Sequence, residues 1–292
     1  MFLEAVLWSG TGLIIGSFTN VLIFRHETGH SLGGRSACRQ CGKTLQWFEL
    51  VPILSWLMLR GRCRTCKAWI SLQYPLVEAL TAIGFLAVGF APIPLVLRIL
   101  GCATVMFLIA ITVVDIRHMH MPDAWVFSFA ALALISSVYS LFLFTPEGEW
   151  LPYIFLFASG PFVALPLWFL WFVSRGTWMG YGDVKFALGI GWLLGTWYGF
   201  IALMFSFVIG AIVGVCILLP LERIIRTLRR VRPGFTPMPT SEKSAWGFTM
   251  KSEVPFGPFL ILSTCIVWFS IFYSLKSVLM FPEALLFWNS WW

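Results

Sequence analysis

The chain has 292 residues, of which 59% are hydrophobic and only 11% are charged, and its formal net charge is +7. Soluble domains average about 25% charged residues, so this composition excludes an ordinary soluble protein. The positive charge does not indicate a nucleic-acid partner, because the Lys and Arg residues lie in loops between apolar runs rather than on one soluble face.

Eight apolar runs predict transmembrane helices, since crossing the hydrocarbon core takes roughly 20 apolar residues. The first has no basic residue ahead of it and is not expected to be a cleaved signal peptide. None of the runs alternates in polarity, which favours helices over barrel strands. The sequence therefore predicts an all-α polytopic membrane protein with about eight transmembrane helices, at residues 2–24, 74–91, 95–114, 124–144, 153–174, 184–198, 199–219 and 256–281, with a break near Gly195–Gly199.

The basic residues predict the orientation of these spans. Residues 25–71 carry eight Lys and Arg residues but only two acids, Glu27 and Glu49, so the positive-inside rule places this loop in the cytosol. Threading the spans from there puts residues 115–123, 175–183 and 220–255 on the same side. We expect a first transmembrane helix at 1–24, a cytosolic loop at 25–71 and a membrane core at 72–292.

Four of the seven cysteines form two Cys-x-x-Cys pairs with 21 residues between them. Two pairs at this separation predict a tetrahedral zinc site. Disulfides and free thiols are the alternatives, but a reducing cytosol disfavours disulfides. Four sulfur ligands leave no position for a catalytic water, so the expected Zn²⁺ is structural. The predicted ligands are Cys38, Cys41, Cys63 and Cys66.

Two aspartates indicate the type of reaction that the protein catalyses. Asp115 ends the third span, and Asp183 closes Gly180-Tyr181-Gly182-Asp183 at the start of the sixth, which puts both at the cytosolic face. Ionisable groups at such depth are costly and are therefore candidates for function. Two neighbouring carboxyl groups share a proton and can activate water while protonating a departing amide. The pair predicts an aspartyl protease, with the two glycines allowing a sharp turn before Asp183.

Several polar residues have more than one interpretation. Asp183 could cap its helix, and Asp123 could either begin the fourth span as a cap or replace one of the two active acids. His118 and His120 with Asp123 could bind a second metal, although polarity at the membrane interface explains them better. Two further acids could be helix contacts or line a cavity, namely Glu4 and Glu78.

Six blocks in a fixed order carry a resemblance to a known family. They are Gly16-Ser17-Phe18-Thr19-Asn20-Val21, the cysteine pairs around Pro-Ile-Leu-Ser-Trp, Tyr74-Pro75-Leu76-Val77-Glu78, VVDIRHMHMPD, GYGDVKFALGIGWLLG and Val254-Pro255-Phe256-Gly257-Pro258. With them the chain closely resembles the prepilin peptidases over nearly its whole length.

This resemblance implies a bifunctional, multi-pass enzyme of the bacterial inner membrane, with its active site facing the cytosol. Such an enzyme removes the basic leader of type IV prepilins or secretion pseudopilins and methylates the new N-terminus with S-adenosylmethionine. The family's catalytic aspartates map onto Asp115 and Asp183, and its zinc ligands onto the four paired cysteines. Many relatives carry an acid where this chain has Arg117. The methyl donor is implied by the resemblance alone, since the sequence has no Rossmann pattern, and its binding residues stay unknown.

Two other classes of protein fit part of the pattern. A transporter would use intramembrane acids to bind cations or relay protons, but it gives no reason for a zinc site. A non-catalytic scaffold for pilus or secretion assembly would need neither aspartate. Membrane lipids are expected partners in every case.

Overall fold

The computed structural model describes residues 2–29, 33–146, 148–218 and 255–280. Within them the chain forms helices and no β-strand, only two isolated bridges, which confirms the all-α prediction. A 3₁₀ turn covers Trp47–Glu49 and a π-helical segment covers Val213–Leu218. Apart from Pro255, the predicted cytosolic loop at residues 220–255 lies outside the described residues. The helices are α1 (Phe2–Thr28), α2 (Leu54–Met58), α3 (Gln73–Gly89), α4 (Leu95–His118), α5 (Asp123–Phe144), α6 (Leu151–Ser174), α7 (Tyr181–Ile212) and α8 (Gly257–Met280).

Five of these helices are long and apolar enough to cross a bilayer, namely α1, α4, α5, α6 and α7, and α3 and α8 are shorter apolar helices over their described residues. The sixth predicted span and the first two thirds of the seventh lie in α7. A straight helix of 32 residues would be about 48 Å long, well beyond a hydrocarbon core of about 30 Å. Helix α7 instead departs from helical geometry at Gly195, with φ 75° and ψ 177°, at the break that the sequence predicts.

Helices α1 and α3 approach each other closely through two glycines. A Cβ atom placed on Gly12 would lie 2.7 Å from Ala82 Cα, and one on Gly16 would lie 2.7 Å from Glu78 Cα. Small residues four positions apart are the usual means by which membrane helices bring their backbones together. The side chain of Asn20, one turn later, donates to the Tyr74 carbonyl oxygen at 3.1 Å and fixes the register of the pair.

Replacing Gly16 with Val is expected to destabilise the protein by about 1–3 kcal/mol, because the new side chain must push α1 away from α3. The matched control is Gly10→Val on the same helix, where an added Cβ would meet nothing within 4 Å. Thermal loss of helical circular dichroism in detergent measures both variants. Equal melting temperatures for the two would contradict the close approach of α1 and α3 at Gly16.

The core brings one end of each helix to the same level of the bundle. Helix α7 packs on α5, α6 and α8, and α4 packs on α5 and α8. The rings of Phe129 on α5 and Phe186 on α7 stack at 4.6 Å between centroids and are fully buried. Consequently the last turns of α1 and α4 lie beside the first turns of α5, α7 and α8. The candidate site lies at this end of the bundle.

Candidate active site and metal centre

Asp115 lies in the last turn of α4 and is only 5% exposed. The helix ends four residues later at Met119, whose backbone is left-handed and whose N–H donates to the Asp115 carbonyl oxygen at 2.8 Å. The Asp115 Oδ2 atom is buried and has no hydrogen-bond partner among the described residues. The backbone N–H of Gly257, the first residue of α8, lies beside this carboxyl group. The positive end of the α8 dipole therefore faces Asp115.

Asp183 lies in the first turn of α7 and is 8% exposed. The N-cap of this helix is Gly180, so Asp183 is not the capping residue. Its carboxyl group instead lies near the backbone N–H of Gly180, at the helix start where backbone donors lack partners within the helix. A second helix dipole thus has its positive end at the second aspartate.

The glycines before Asp183 do not have the role that we expected. Gly180 has φ −72° and ψ 146°, which any residue can adopt, and Gly182 is not in the left-handed region either. The turn into α7 therefore needs no conformational freedom of glycine. A Cβ on Gly182 would lie 3.4 Å from Met121 Cβ, so this position is a packing contact.

The structure brings Asp115 and Asp183 together. Their carboxyl groups are close enough to interact electrostatically, although 68 positions separate them along the chain. Met121, which follows α4, is 3% exposed and lies between the starts of α7 and α8. A Cβ on Gly257 would collide with Met121 Cε and with Asp115 Oδ2. The absence of a side chain at Gly257 is what allows α8 to approach the pair.

Asp123, the alternative active acid, has another partner. It follows the N-cap Pro122 in the first turn of α5, where an acid interacts favourably with the helix dipole. Its carboxylate accepts from Lys185 Nζ at 2.8 Å, and its side chain is 57% exposed. An exposed carboxylate in an ion pair is poorly placed to share a proton with a buried acid. The geometry therefore favours Asp115 and Asp183 over any pair that includes Asp123.

The sequence analysis missed one ion-pair cluster beside Asp115. Arg117 Nη1 donates to both carboxylate oxygens of Glu27 at 3.0 Å, and His118 Nε2 lies 3.2 Å from Glu27 Oε1. These contacts join the end of α1 to the end of α4. His118, His120 and Asp123 form no metal-ligating group in the described part of the chain. The sequence feature that could have indicated this cluster is Glu27, which is one of only two acids in the basic segment 25–71.

The two remaining acids, Glu78 and Glu4, both lie outside the aspartate pair. Glu78 is 6% exposed, and its Oε2 accepts from the backbone N–H of Ile53 at 2.7 Å, which fastens the loop before α3 to that helix. Glu4 is exposed in the first turn of α1, at the opposite end of the bundle from the aspartates. Glu78 is thus a polar contact between segments, and Glu4 does not line the aspartate site.

The four paired cysteines meet at one point of the loop before α3. Their sulfur atoms all lie within 4.8 Å of one another, and none forms a disulfide. Four sulfurs bound to one zinc at about 2.3 Å would lie about 3.8 Å apart, and the distance from Cys38 Sγ to Cys66 Sγ is 3.8 Å. These side chains can therefore bind a metal ion, and their geometry fits tetrahedral zinc.

Each cysteine pair lies in a turn of the same form. The N–H of Gly42 donates to the Cys38 carbonyl oxygen at 2.9 Å, and the N–H of Lys67 donates to the Cys63 carbonyl oxygen at 3.0 Å. Gly42 and Lys67 occupy equivalent left-handed positions, with φ 68° and 59°. Backbone N–H groups of Cys66 and Thr65 lower the pKa of Cys63 to about 6, which favours the thiolate that a metal requires. The main cause of the lowered pKa is therefore the backbone of the turn itself.

Comparisons with known proteins agree with this organisation. A model described as the bacterial peptidase A24 N-terminal domain matches residues 11–91, and one described as the type IV leader peptidase family matches residues 102–215. A protein of Pectobacterium carotovorum named prepilin leader peptidase/N-methyltransferase is 30% identical over 209 residues, which are 63% of this chain and 72% of that protein. The chain belongs to the type IV leader peptidase family.

Two other relatives extend the comparison. A Xanthomonas campestris protein with the same name is 28% identical over 298 residues and covers 89% of each chain. A type 4 prepilin-like proteins leader peptide-processing enzyme of Escherichia coli is 40% identical over 146 residues, 41% of this chain and 52% of that protein. No solved structure matches the chain. Together with the apolar helices, these relatives indicate a bacterial membrane protein.

Proposed function

We propose that this chain is a prepilin leader peptidase and N-methyltransferase in which Asp115 and Asp183 are the catalytic acids. The observation that carries the proposal is that two buried carboxyl groups meet at one end of the helical bundle of a member of the type IV leader peptidase family. The substrates are type IV prepilins or pseudopilins, and the cleaved bond lies at the junction of the basic leader and the apolar pilin helix.

The geometry supports hydrolysis of a peptide bond by two carboxyl groups that share one proton. One carboxylate takes a proton from a water molecule as that water attacks the scissile carbonyl carbon. The protonated partner then donates to the departing amine. Burial of both acids excludes competing water, and the positive ends of α7 and α8 stabilise the negative charge that stays on the pair. These steps use only side chains and backbone groups of this chain.

Charge supports a cytosolic orientation of the active site. The end of the bundle that holds both aspartates also carries Arg117, Arg175 and Lys185, together with the basic loop before α3. By the positive-inside rule this end faces the cytosol, where the basic leader of a prepilin lies before cleavage. The transporter interpretation is less well supported, because both aspartates lie in terminal turns of their helices rather than near the middle of a span.

Leader removal from a purified prepilin tests the catalytic assignment directly. The Asp183→Asn variant is expected to leave the prepilin uncut, whereas the Asp123→Asn variant, which breaks only the exposed ion pair with Lys185, is expected to cleave at a rate within a few-fold of wild type. Gel mobility and mass spectrometry of the product measure both. Cleavage by Asp183→Asn, or its loss only in Asp123→Asn, would reject the proposed pair.

The metal of the cysteine site is proposed to be a structural Zn²⁺ bound by Cys38, Cys41, Cys63 and Cys66. Replacing Cys41 with Ser is expected to abolish stoichiometric zinc, since three thiolates bind it more weakly than four. Elemental analysis of the purified protein measures the metal. Cys216→Ser is the control, because Cys216 is exposed and lies outside the cysteine site. Unchanged zinc in Cys41→Ser would contradict the assignment.

S-adenosylmethionine is the proposed methyl donor, and support for it comes from the family and from the names of the relatives. We expect methyl transfer to depend on the cytosolic loop and on Glu78, because Glu78 fixes that loop to α3. Transfer of a labelled methyl group to a cleaved pilin by the zinc-free Cys41→Ser protein tests this dependence. Full transfer would remove the loop from consideration.

A further inference from the structure

The second cysteine turn forms one wall of a basic pocket. This pocket has a volume of about 540 Å³ and lies outside the aspartate site. Its lining includes no acidic residue, and its charged members are Arg60, Arg62, Arg64 and Lys67. The Arg62 guanidinium lies over the Trp69 ring, 4.4 Å from its centroid, which holds one cation against the wall. Four cations line this space, and none of them forms an ion pair with an acidic side chain of the described chain.

The pocket lies at the level of the membrane surface. Ile53, just before α2, is bonded to Glu78, the sixth residue of α3 and therefore about 7.5 Å along that helix from its start. The last residue that lines the pocket is Trp69, and the N-cap of α3, Leu72, follows three residues later. Helix α2 and the second cysteine turn must accordingly lie against the end of the bundle that meets the lipid headgroups.

Two large apolar side chains that line the pocket, Met58 and Trp69, are exposed, and further exposed apolar side chains lie in the adjoining segments of the chain. Met58 is 84% exposed, Trp69 is 71% exposed and Leu72 is 68% exposed, and Leu54 and Leu57 on α2 are exposed as well. An apolar rim beside a cluster of Arg and Lys is typical of segments that lie in the membrane interface. A soluble surface of the same size would not carry this combination without a partner that covers it.

Charge excludes the other ligands that this enzyme handles. A zinc ion with four thiolates carries two negative charges, which offset only half of the four cations. The leader of a prepilin is basic and would be repelled. S-adenosylmethionine has a sulfonium, an ammonium and one carboxylate, so its net charge is positive and it is disfavoured too. The pocket therefore requires a strongly anionic ligand.

We propose that this pocket binds the phosphate headgroup of an anionic phospholipid of the inner leaflet and so docks the cysteine loop on the membrane. The phosphate is bound by the arginines and by Lys67, while the acyl chains lie along the exposed side chains of α2 and Trp69. Each cation near an anionic leaflet favours binding by about fivefold, and Arg suits phosphate oxygens especially well. This inference does not depend on which acids are catalytic.

Native mass spectrometry of the full-length protein in detergent tests the proposal, with phosphatidylglycerol, phosphatidylcholine and inorganic phosphate as probes. Wild type is expected to retain one phosphatidylglycerol in strong preference to phosphatidylcholine. The double variant Arg62→Gln and Arg64→Gln is expected to bind it roughly 30-fold more weakly. The matched control is Arg35→Gln with Arg175→Gln, which removes the same charge at the same face, and neither residue lines the pocket.

The outcomes separate a lipid site from the alternatives. Equal weakening in the pocket variant and in the control would show attraction to general surface charge and would overturn the proposal. Displacement of the lipid by inorganic phosphate at matched concentration would also overturn it, because the apolar rim would then contribute nothing. Should the Gln variant lose its metal, the variant Arg62→Lys and Arg64→Lys replaces it, and that protein is expected to bind within a few-fold of wild type.

Discussion

Asp115→Asn and Asp183→Asn are each expected to lower kcat for leader cleavage by at least roughly a thousandfold, and the double variant is expected to be no worse than either alone. Asn keeps the shape of the side chain but can neither hold nor release the shared proton. Groups that act as one unit show such non-additive losses. A cleavage time course with a purified prepilin measures kcat for the three variants and the wild type.

Two controls make this result specific to the chemistry. Helical circular dichroism and metal content should match wild type in every variant, because neither aspartate touches the cysteine site. The double variant is the sharper part of the test. Losses that multiply in it would mean that the acids act independently, and the shared-proton mechanism would then be wrong even if both single variants were inactive.

Gly257→Ala is expected to lower kcat roughly a hundredfold while the protein still inserts and folds. The added methyl group would collide with Asp115 Oδ2 and Met121 Cε, so either the carboxyl group or the start of α8 must move. A displacement of about 1 Å at a reacting group can cost a factor of this size. Cleavage kinetics give kcat and KM separately, and the effect should appear mainly in kcat.

The control for this variant is Gly214→Ala, where an added Cβ would have nothing within 4 Å. A larger effect is expected for Gly257→Ser than for Gly257→Ala, since the extra oxygen occupies more of the same space. Activity near wild type for Gly257→Ala would contradict the close approach of α8 to Asp115, whatever the role of the aspartates.

Local composition determined much of this protein. Apolar runs predicted the helices because lipid leaves a backbone no other way to satisfy its hydrogen bonds, and even the break in α7, at Gly195, fell within the predicted stretch Gly195–Gly199. The two cysteine pairs predicted a metal site, because each pair is a short turn whose geometry its own backbone sets. The order of six blocks indicated the family.

Contacts between distant helices could not be predicted in the same way. The sequence favoured Asp115 and Asp183 but left Asp123 open as an alternative acid at the same membrane face, since the ion pair of Asp123 with Lys185 depends on how α5 packs against α7. The approach of Gly257 to Asp115 and the bond from Ile53 to Glu78 depend likewise on packing across the bundle. Hydrophobic patterns and residue spacing describe each segment alone, whereas the pairing of buried groups is decided by which helix faces meet when all of them pack.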